Sequence, residues 1–254
     1  MTGTDLTERY AVHELLTPID KLTSCDVNNM HPGECIGRDI ISVSTGLWFD
    51  LAVTRTVHID AAPILHRVPC LGYVFRETSD LKRKIVVLGD TCDPSSIRDL
   101  AQHASLLIHE ATDAYIPMEI DRNLRGDKKT PDKILQNTIR KGHSTPSMAG
   151  AFAKSIGAHK LVLNHFSGKF PAPIPRRNDR RGAVMAEIER QASEAWGMGP
   201  AIAAYDFLRI EIPGSIIRSR FREPDMEPSR PSESPALPPL TSPPSHKVLK
   251  RRKS

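Results

Sequence analysis

The 254-residue chain is long enough for one hydrophobic core, and 39% hydrophobic with 26% charged residues is typical of a globular protein. Residues 214–254 carry nine basic and four acidic side chains, which equals the net charge of +5 of the whole chain. Residues 1–213 are therefore neutral overall, so the net positive charge of the chain excludes no class of function for the folded part. The same tail holds eight of the 21 prolines without a periodic apolar pattern, which predicts disorder.

Cysteine usage and hydropathy predict an intracellular protein. The four cysteines show neither a C-x-x-C pair nor the spacing of a secreted disulfide framework, so we expect reduced thiols. No apolar run approaches the roughly 18–20 residues of a membrane span, and the N-terminus lacks the pattern of a signal peptide. We therefore expect no membrane partner.

Residues 1–56 are difficult to interpret and are assigned to the same domain as residues 57–213. Arg9–Leu16 is compatible with a strand or a short helix, and Pro18–Asp39 is a long stretch rich in turn residues. One or two strands are expected around Thr45-Gly46.

From Val57 the periodicity predicts regular elements. A helix should begin with Asp93 as its N-cap and Pro94 in its first turn, and Ser144 or Thr145 should cap another. The predicted strands are Val57–His66, Cys70–Glu77, Lys84–Gly89, Leu106–Glu110, Lys160–Phe166 and Ala203–Ile212. The further predicted helices are Pro131–Lys141, Pro146–Ser155 and Gly182–Ala195.

Several apolar runs end in residues that can bind metals or protons. Asp90 follows KIVVLG, His109 and Glu110 end LLIHE, and His165 follows KLVLN. Catalytic groups of layered α/β proteins gather at such strand ends, so we predict an α/β fold with a site there.

The residue types indicate hydrolytic metal chemistry. Two imidazoles and a carboxylate, here His66, His165 and Asp90, are a ligand set of zinc, and zinc lowers the pKa of bound water to about 7. Glu110 and His143 suit proton donation, because an imidazole held by a carboxylate can protonate a departing oxygen. Taken singly, each of these residues is more often structural than functional. We assign structural or solvated roles to His13, His31, His58, His103, His159 and His246.

Five ordered motifs resemble the second half of tRNase Z, an endonuclease of the metallo-β-lactamase superfamily that removes 3′ trailers from precursor tRNA. They are PILHRVPCLGYVF, GDTCDPSSIRDLA, LLIHEATDAY, KGHSTPSMAGAFAKSIGA and KLVLNHFS. The resemblance covers Val57–Ser167, and more loosely Tyr10–Leu16 and Asp206-Phe207. It implies a partial metallo-β-lactamase αββα sandwich.

The resemblance also implies roles for individual residues. His66 and His165 would be zinc ligands, Asp90 would bridge two zinc ions, and Glu110 with His143 would protonate the leaving 3′ oxygen. The implied substrate is precursor tRNA, hydrolysed to leave a 3′-hydroxyl. A homodimer is compatible with the resemblance.

Two features depart from the family pattern. The principal zinc motif, His-x-His-x-Asp-His, does not occur in this sequence and would be expected upstream of Tyr10. We therefore expect an incomplete site, impaired activity of this chain alone, and an uncovered apolar sheet face. The arm by which some members grip tRNA is also absent, since only Thr78–Arg83 fills that interval.

Basic residues are the candidates for RNA contact, although solvated surface charge is the common role of such residues. They are Arg122, Arg125, Lys128 and Lys129, and a second cluster of Arg176, Arg177, Arg180 and Arg181. The terminal KVLKRRKS is compatible with a nuclear localisation signal, and a nuclear or mitochondrial location is expected rather than secretion.

Two other functions remain open from the sequence. The chain could be a non-catalytic half-domain that binds RNA or a partner protein. It could instead be another metallo-β-lactamase hydrolase, although the pair His-Glu-Ala-Thr and Gly-His-Ser-Thr argues for the tRNA enzymes.

Overall fold

The structure, a computed structural model, describes residues 10–20, 31, 33–35, 37, 39–43, 46–121, 130–170 and 180–212. The tail predicted to be disordered lies outside these residues. The strands are β1 (Tyr10–Ala11), β2 (Glu14–Leu16), β3 (Glu34–Cys35), β4 (Asp39–Ile41), β5 (Trp48–Val53), β6 (Val57–Ile64), β7 (Cys70–Glu77), β8 (Lys84–Leu88), β9 (Leu106–Glu110), β10 (Leu161–Asn164) and β11 (Ile202–Ala203). The helices are α1 (Arg98–Ala101), α2 (Pro131–Arg140), α3 (Pro146–Ser155) and α4 (Arg180–Trp196), and a 3₁₀ turn covers Ser95–Ile97.

Seven strands form one mixed sheet in the order β11-β10-β9-β8-β7-β6-β5. Neighbouring strands from β8 to β11 are parallel, and neighbouring strands from β5 to β8 are antiparallel. Because β6 and β8 are both antiparallel to β7, these two strands run in the same direction. The carboxyl ends of β6, β8, β9 and β10 therefore lie along one edge of the sheet. The predicted α/β class is confirmed.

The sheet buries one face beneath the helices. Along β7 and β8, alternate residues such as Val74 and Val86 are 0% exposed and join a core with Ile97, Phe152 and Ile188. Their neighbours on the opposite face, which include Tyr73, Phe75 and Val87, are half-buried. This alternation follows from the two-residue period of a strand.

Helices α3 and α4 approach each other closely at Gly150. A Cβ atom at this position would lie 2.2 Å from the carbonyl oxygen of Ala192 and 3.0 Å from the backbone nitrogen of Trp196. The N-cap of α3 is Thr145, whose hydroxyl accepts a hydrogen bond from the backbone N–H of Met148 at 3.4 Å. Of the two caps considered from the sequence, Thr145 is therefore the correct one.

Two predicted elements differ from the structure. The helix expected after Asp93 is a 3₁₀ turn followed by the four-residue α1, and Pro94 rather than Asp93 is the N-cap residue of that turn. Asp93 instead accepts the backbone N–H of Ser95 at 2.9 Å, a local side-chain turn that competes with helix capping. The last strand is Ile202–Ala203 rather than Ala203–Ile212, and it pairs only with Val162 and Leu163 of β10.

Other predictions agree with the structure or lie outside its described residues. Tyr10–Ala11 and Glu14–Leu16 are strands, which decides between the two conformations considered for Arg9–Leu16. Cys35, Cys70 and Cys92 are free thiols, whereas Cys25 is outside the described residues. None of the helices in the described part of the chain is long and apolar enough to span a bilayer.

Substituting Gly150 by Ala should destabilise the fold. The added methyl would push α4 away from α3, and overpacking of this kind costs about 1–3 kcal/mol in the free energy of unfolding. Gly182→Ala in the first turn of α4 is the control, because a Cβ there meets nothing within 4 Å. This control should stabilise the protein by about 0.5–1 kcal/mol. Denaturant titration measures both, and a Gly150→Ala protein as stable as the parent contradicts the packing described.

Candidate metal centre

Five polar side chains converge at the sheet edge where the parallel strands end. His66 follows β6, Asp90 follows β8, Glu110 ends β9, and His165 follows β10. The structure therefore brings together the residues that the sequence places at strand ends. His143 arrives differently, since it lies in the loop between helices α2 and α3 rather than after a strand.

The donor atoms of these residues form two overlapping groups. His66, Asp90 and His143 each place one donor atom within 4.8 Å of the others, and Glu110, His143 and His165 do the same. The His143 ring centroid is 4.9 Å from that of His66 and 5.4 Å from that of His165. Nδ1 of His165 lies 3.4 Å from Oδ1 of Asp90, which joins the two groups. The five residues singled out from the sequence thus share one site.

Glu110 is the most enclosed member of the site, with its side chain 1% exposed. One carboxylate oxygen accepts the backbone N–H of Thr91 at 2.6 Å and lies 3.1 Å from Nδ1 of His143. The other accepts the backbone N–H of Ser144 at 3.1 Å and the hydroxyl of Thr112. A buried carboxylate is stable when its lone pairs are occupied by donors in this way.

His143 is held by its own loop as well as by Glu110. Its backbone N–H donates to the carbonyl of Thr138 at 3.0 Å, at the end of α2. The hydroxyl of the next residue, Ser144, donates to the carbonyl of Thr91 at 2.6 Å. Because a carboxylate accepts hydrogen bonds, His143 donates from Nδ1 to Glu110, and its Nε2 remains for substrate or metal.

His66 is oriented by the backbone of Gly142. Nδ1 of His66 lies 2.7 Å from the carbonyl oxygen of Gly142. A carbonyl cannot donate, so Nδ1 carries the proton and Nε2 keeps the lone pair that a metal would bind. Gly142 has φ of +82°, and a Cβ atom there would lie 2.6 Å from Nδ1 of His66. Both the backbone conformation and the close approach require glycine at this position.

His109 neighbours Glu110 in sequence but has a different environment. Its side chain is 0% exposed and its ring packs at 5.9 Å between centroids against Phe152 in the helix-covered core. Burial is the largest cause that lowers the pKa of His109, opposed by its contact with the carbonyl of Glu110. His109 is therefore a neutral core residue and lies outside both donor groups.

The donor set fits zinc. Imidazole nitrogens and a carboxylate are zinc ligands, and three protein ligands with an open position are the pattern of catalytic zinc. The Gly142 carbonyl supplies the partner that usually fixes the tautomer of a zinc-bound histidine. Two groups of residues could hold a metal, namely His66, Asp90 and His143, and Glu110, His143 and His165. His143 belongs to both groups, and the set expected from the sequence, His66, Asp90 and His165, is divided between them.

The remaining candidates from the sequence lie elsewhere. Among the described residues, the histidines assigned structural roles do not join the donor groups; these are His13, His31, His58, His103 and His159. Arg180 pairs with the buried carboxylate of Asp121 rather than standing free for RNA. Of the other basic candidates, Arg181 is within the described residues and the rest lie outside them. His246 and the terminal KVLKRRKS also lie outside the described residues.

Sequence reasoning missed Thr91, Thr112 and Gly142. Their signals were weak, because each acts through a backbone or hydroxyl group whose partner is far away in the chain. Thr91 and Thr112 lie one or two residues after predicted site residues, and Gly142 lies directly before one.

Comparisons with known proteins identify relatives of part of this chain. No protein-family model matches the sequence. The chain is 35% identical over 135 residues to the zinc phosphodiesterase ELAC protein 1 of Bos taurus, which covers 52% of this chain and 32% of that protein. It is 30% identical over 152 residues to the ribonuclease Z of Pseudomonas putida, which covers 59% of this chain and 41% of that protein. The resemblance to tRNase Z is confirmed.

The chain spans about a third of the length of the ELAC protein 1 relatives that it matches. Solved structures with some similarity include human tRNase Z, short form, at 26% identity and a TM-score of 0.49, covering 79% of this chain and 56% of that one. The metallo-β-lactamase fold protein YhfI of Bacillus subtilis is 17% identical with a TM-score of 0.43, covering 66% and 53%.

Substituting Gly142 by Ala should weaken zinc binding about 10–100-fold, the usual effect of losing the partner of a metal-binding histidine. The new methyl group would displace His66 and strain the backbone. Gly168→Ala, close to His165 in sequence, is the matched control, because a Cβ there meets nothing within 4 Å. Competition with a chromophoric chelator measures both affinities. Equal zinc affinity of the two variants contradicts the role given to Gly142.

Proposed function

We propose that this chain is the metal-binding part of a tRNase Z-type endoribonuclease, which hydrolyses a phosphodiester of precursor tRNA and leaves a 3′-hydroxyl. The observation that carries the proposal is a coincidence of two results. The chain is similar to a zinc phosphodiesterase and to ribonuclease Z, and its five candidate residues lie together at one sheet edge.

His66, Asp90 and His165 would hold zinc in the proposed site. Zinc supplies a Lewis acid and makes water nucleophilic near neutral pH. Asp90 and His165 are 35% and 49% exposed, so a phosphodiester can reach them from solvent. The His66 ring lies 4.9 Å from the His143 ring between centroids, and because its Nδ1 contacts the Gly142 carbonyl, Nε2 is the nitrogen left to bind a metal.

Glu110 and His143 would deliver a proton to the leaving 3′ oxygen. Glu110 holds Nδ1 of His143 at 3.1 Å, which leaves Nε2 as the atom that donates. The His143 side chain is 13% exposed, whereas Glu110 is almost fully buried. Glu110 therefore orients His143, and His143 is the group that reaches substrate.

A cavity of 920 Å³ beside His165 is a suitable place for the RNA strand next to the cleaved bond. Its walls include the aromatic rings of Phe166, Phe170 and Tyr205 and the carboxylates of Glu189 and Asp206. Carboxylates repel phosphate, whereas aromatic rings stack on bases of single-stranded RNA. We therefore place a base rather than a phosphate in this cavity.

A non-catalytic role is the second candidate. The family resemblance implies that a His-x-His-x-Asp-His motif supplies the principal zinc ligands, and the fact that this motif does not occur in the sequence favours the alternative. In this alternative the chain binds RNA or a partner protein and hydrolyses nothing.

The first test measures zinc content and precursor tRNA cleavage on the same sample of the full chain. We expect bound zinc but slow trailer removal, because the family's principal zinc motif does not occur in this sequence, and we expect Asp90→Ala and His165→Ala to lose both while remaining folded. RNA binding without zinc or cleavage would favour the non-catalytic role. Undiminished cleavage by either variant would overturn the metal assignment.

His143→Ala should slow cleavage by about 10²–10⁴-fold, the usual contribution of a general acid, without loss of zinc. Single-turnover cleavage rates and elemental analysis of the same preparation measure the two effects. His103→Ala is the control, since that residue lies outside both donor groups and should leave both quantities unchanged. Zinc loss in His143→Ala would instead make His143 a ligand.

A further inference from the structure

The hydroxyl of Thr112 contacts both halves of the candidate site. It donates to the carboxylate of Glu110, and it lies 2.8 Å from Nδ1 of His165. The carbonyl oxygen of His165 is 3.0 Å away, and Nδ1 of His143 is 3.5 Å away. Thr112 therefore links a candidate zinc ligand to the pair that would deliver the proton.

The single proton of the hydroxyl restricts how these contacts can be made. A threonine hydroxyl donates one hydrogen bond and accepts two. The Glu110 carboxylate and the His165 carbonyl both accept only, and the charged carboxylate is the stronger acceptor. With its proton directed to Glu110, the Thr112 oxygen can meet Nδ1 of His165 only as an acceptor.

The tautomer of His165 follows from this restriction. Nδ1 must carry the proton, and Nε2 is left with the lone pair that binds a metal. Oδ1 of Asp90, 3.4 Å from Nδ1, is also an acceptor and favours the same tautomer from a longer distance. His165 additionally has φ of +53°, a conformation uncommon for a residue with a side chain. The backbone N–H of Ser167 donates to the carbonyl of Thr112 at 3.0 Å and secures that turn.

We propose that Thr112 is a positioning residue that sets the tautomer of His165 and couples this ligand to Glu110 and His143. The chain of hydrogen bonds runs from Nδ1 of His165 to Thr112 and from Thr112 to Glu110, which also holds His143. The assignment of His165 as a zinc ligand rests on the proposed function. The tautomer does not, because the contacts that set it involve no metal.

The test compares Thr112→Val, which keeps the shape of the side chain but removes the hydroxyl, with Thr112→Ser, which keeps the hydroxyl. Nitrogen-15 NMR of selectively labelled, metal-free full chain reports the imidazole tautomer of His165, identified by its disappearance in His165→Ala. We expect the Nδ1–H form in the parent and in Thr112→Ser, and a shift toward the Nε2–H form in Thr112→Val. Zinc affinity should fall about 10–100-fold in Thr112→Val and recover in Thr112→Ser.

The two readouts separate this inference from the proposed function. A tautomer change in Thr112→Val without measurable zinc binding by any variant would leave the inference standing and defeat the zinc proposal. An unchanged tautomer in a Thr112→Val protein that unfolds at the same denaturant concentration as the parent would overturn the inference. Equal effects of Thr112→Ser and Thr112→Val on the tautomer would do the same, since only Thr112→Val lacks the hydroxyl.

Discussion

The buried carboxylate of Glu110 is the constraint on which the geometry of the site depends. An ionised group with 1% exposure is stable only when donors surround it, and Glu110 takes its donors from three separate segments. The Thr91 N–H follows β8, the Thr112 hydroxyl follows β9, and His143 and Ser144 come from the loop between α2 and α3. Because the same carboxylate binds all three segments, the position of each segment depends on the other two. The positions of the site residues next to these segments therefore depend on Glu110 as well.

Strand direction explains why these segments meet at all. Strands β8, β9 and β10 are parallel, and the two antiparallel steps through β7 return β6 to the same direction. Four carboxyl ends therefore reach one sheet edge, as is usual for sites in α/β proteins. The helices cover one face of the sheet, and Gly142, two residues after the end of α2, orients His66 through its carbonyl oxygen. Sheet and helices thus contribute separately to one site.

His109 and Glu110 are adjacent in the sequence but have different roles, because their side chains lie on opposite sides of β9. His109 enters the core beneath the helices, where burial favours its neutral form, whereas Glu110 faces the site and remains the acceptor of a polar network. His66 and His143 likewise each direct Nδ1 to an oxygen acceptor, which leaves Nε2 available. Environment, rather than residue type, distinguishes these histidines from the structural ones.

Much of this arrangement could be predicted from the sequence. Apolar runs and capping residues predicted strands β6 to β10 and helices α2, α3 and α4, because these signals are local in the chain. The polar residues at the ends of the apolar runs gave the candidates His66, Asp90, Glu110 and His165. The short last strand and the entry of His143 from the loop between α2 and α3 depended on partners distant in sequence. Gly142 and Thr112 became visible only in the tertiary structure, since their significance lies in a carbonyl and a hydroxyl placed against side chains 76 and 53 residues away. Local patterns determined which residues could act, and packing decided which atoms of those residues face one another.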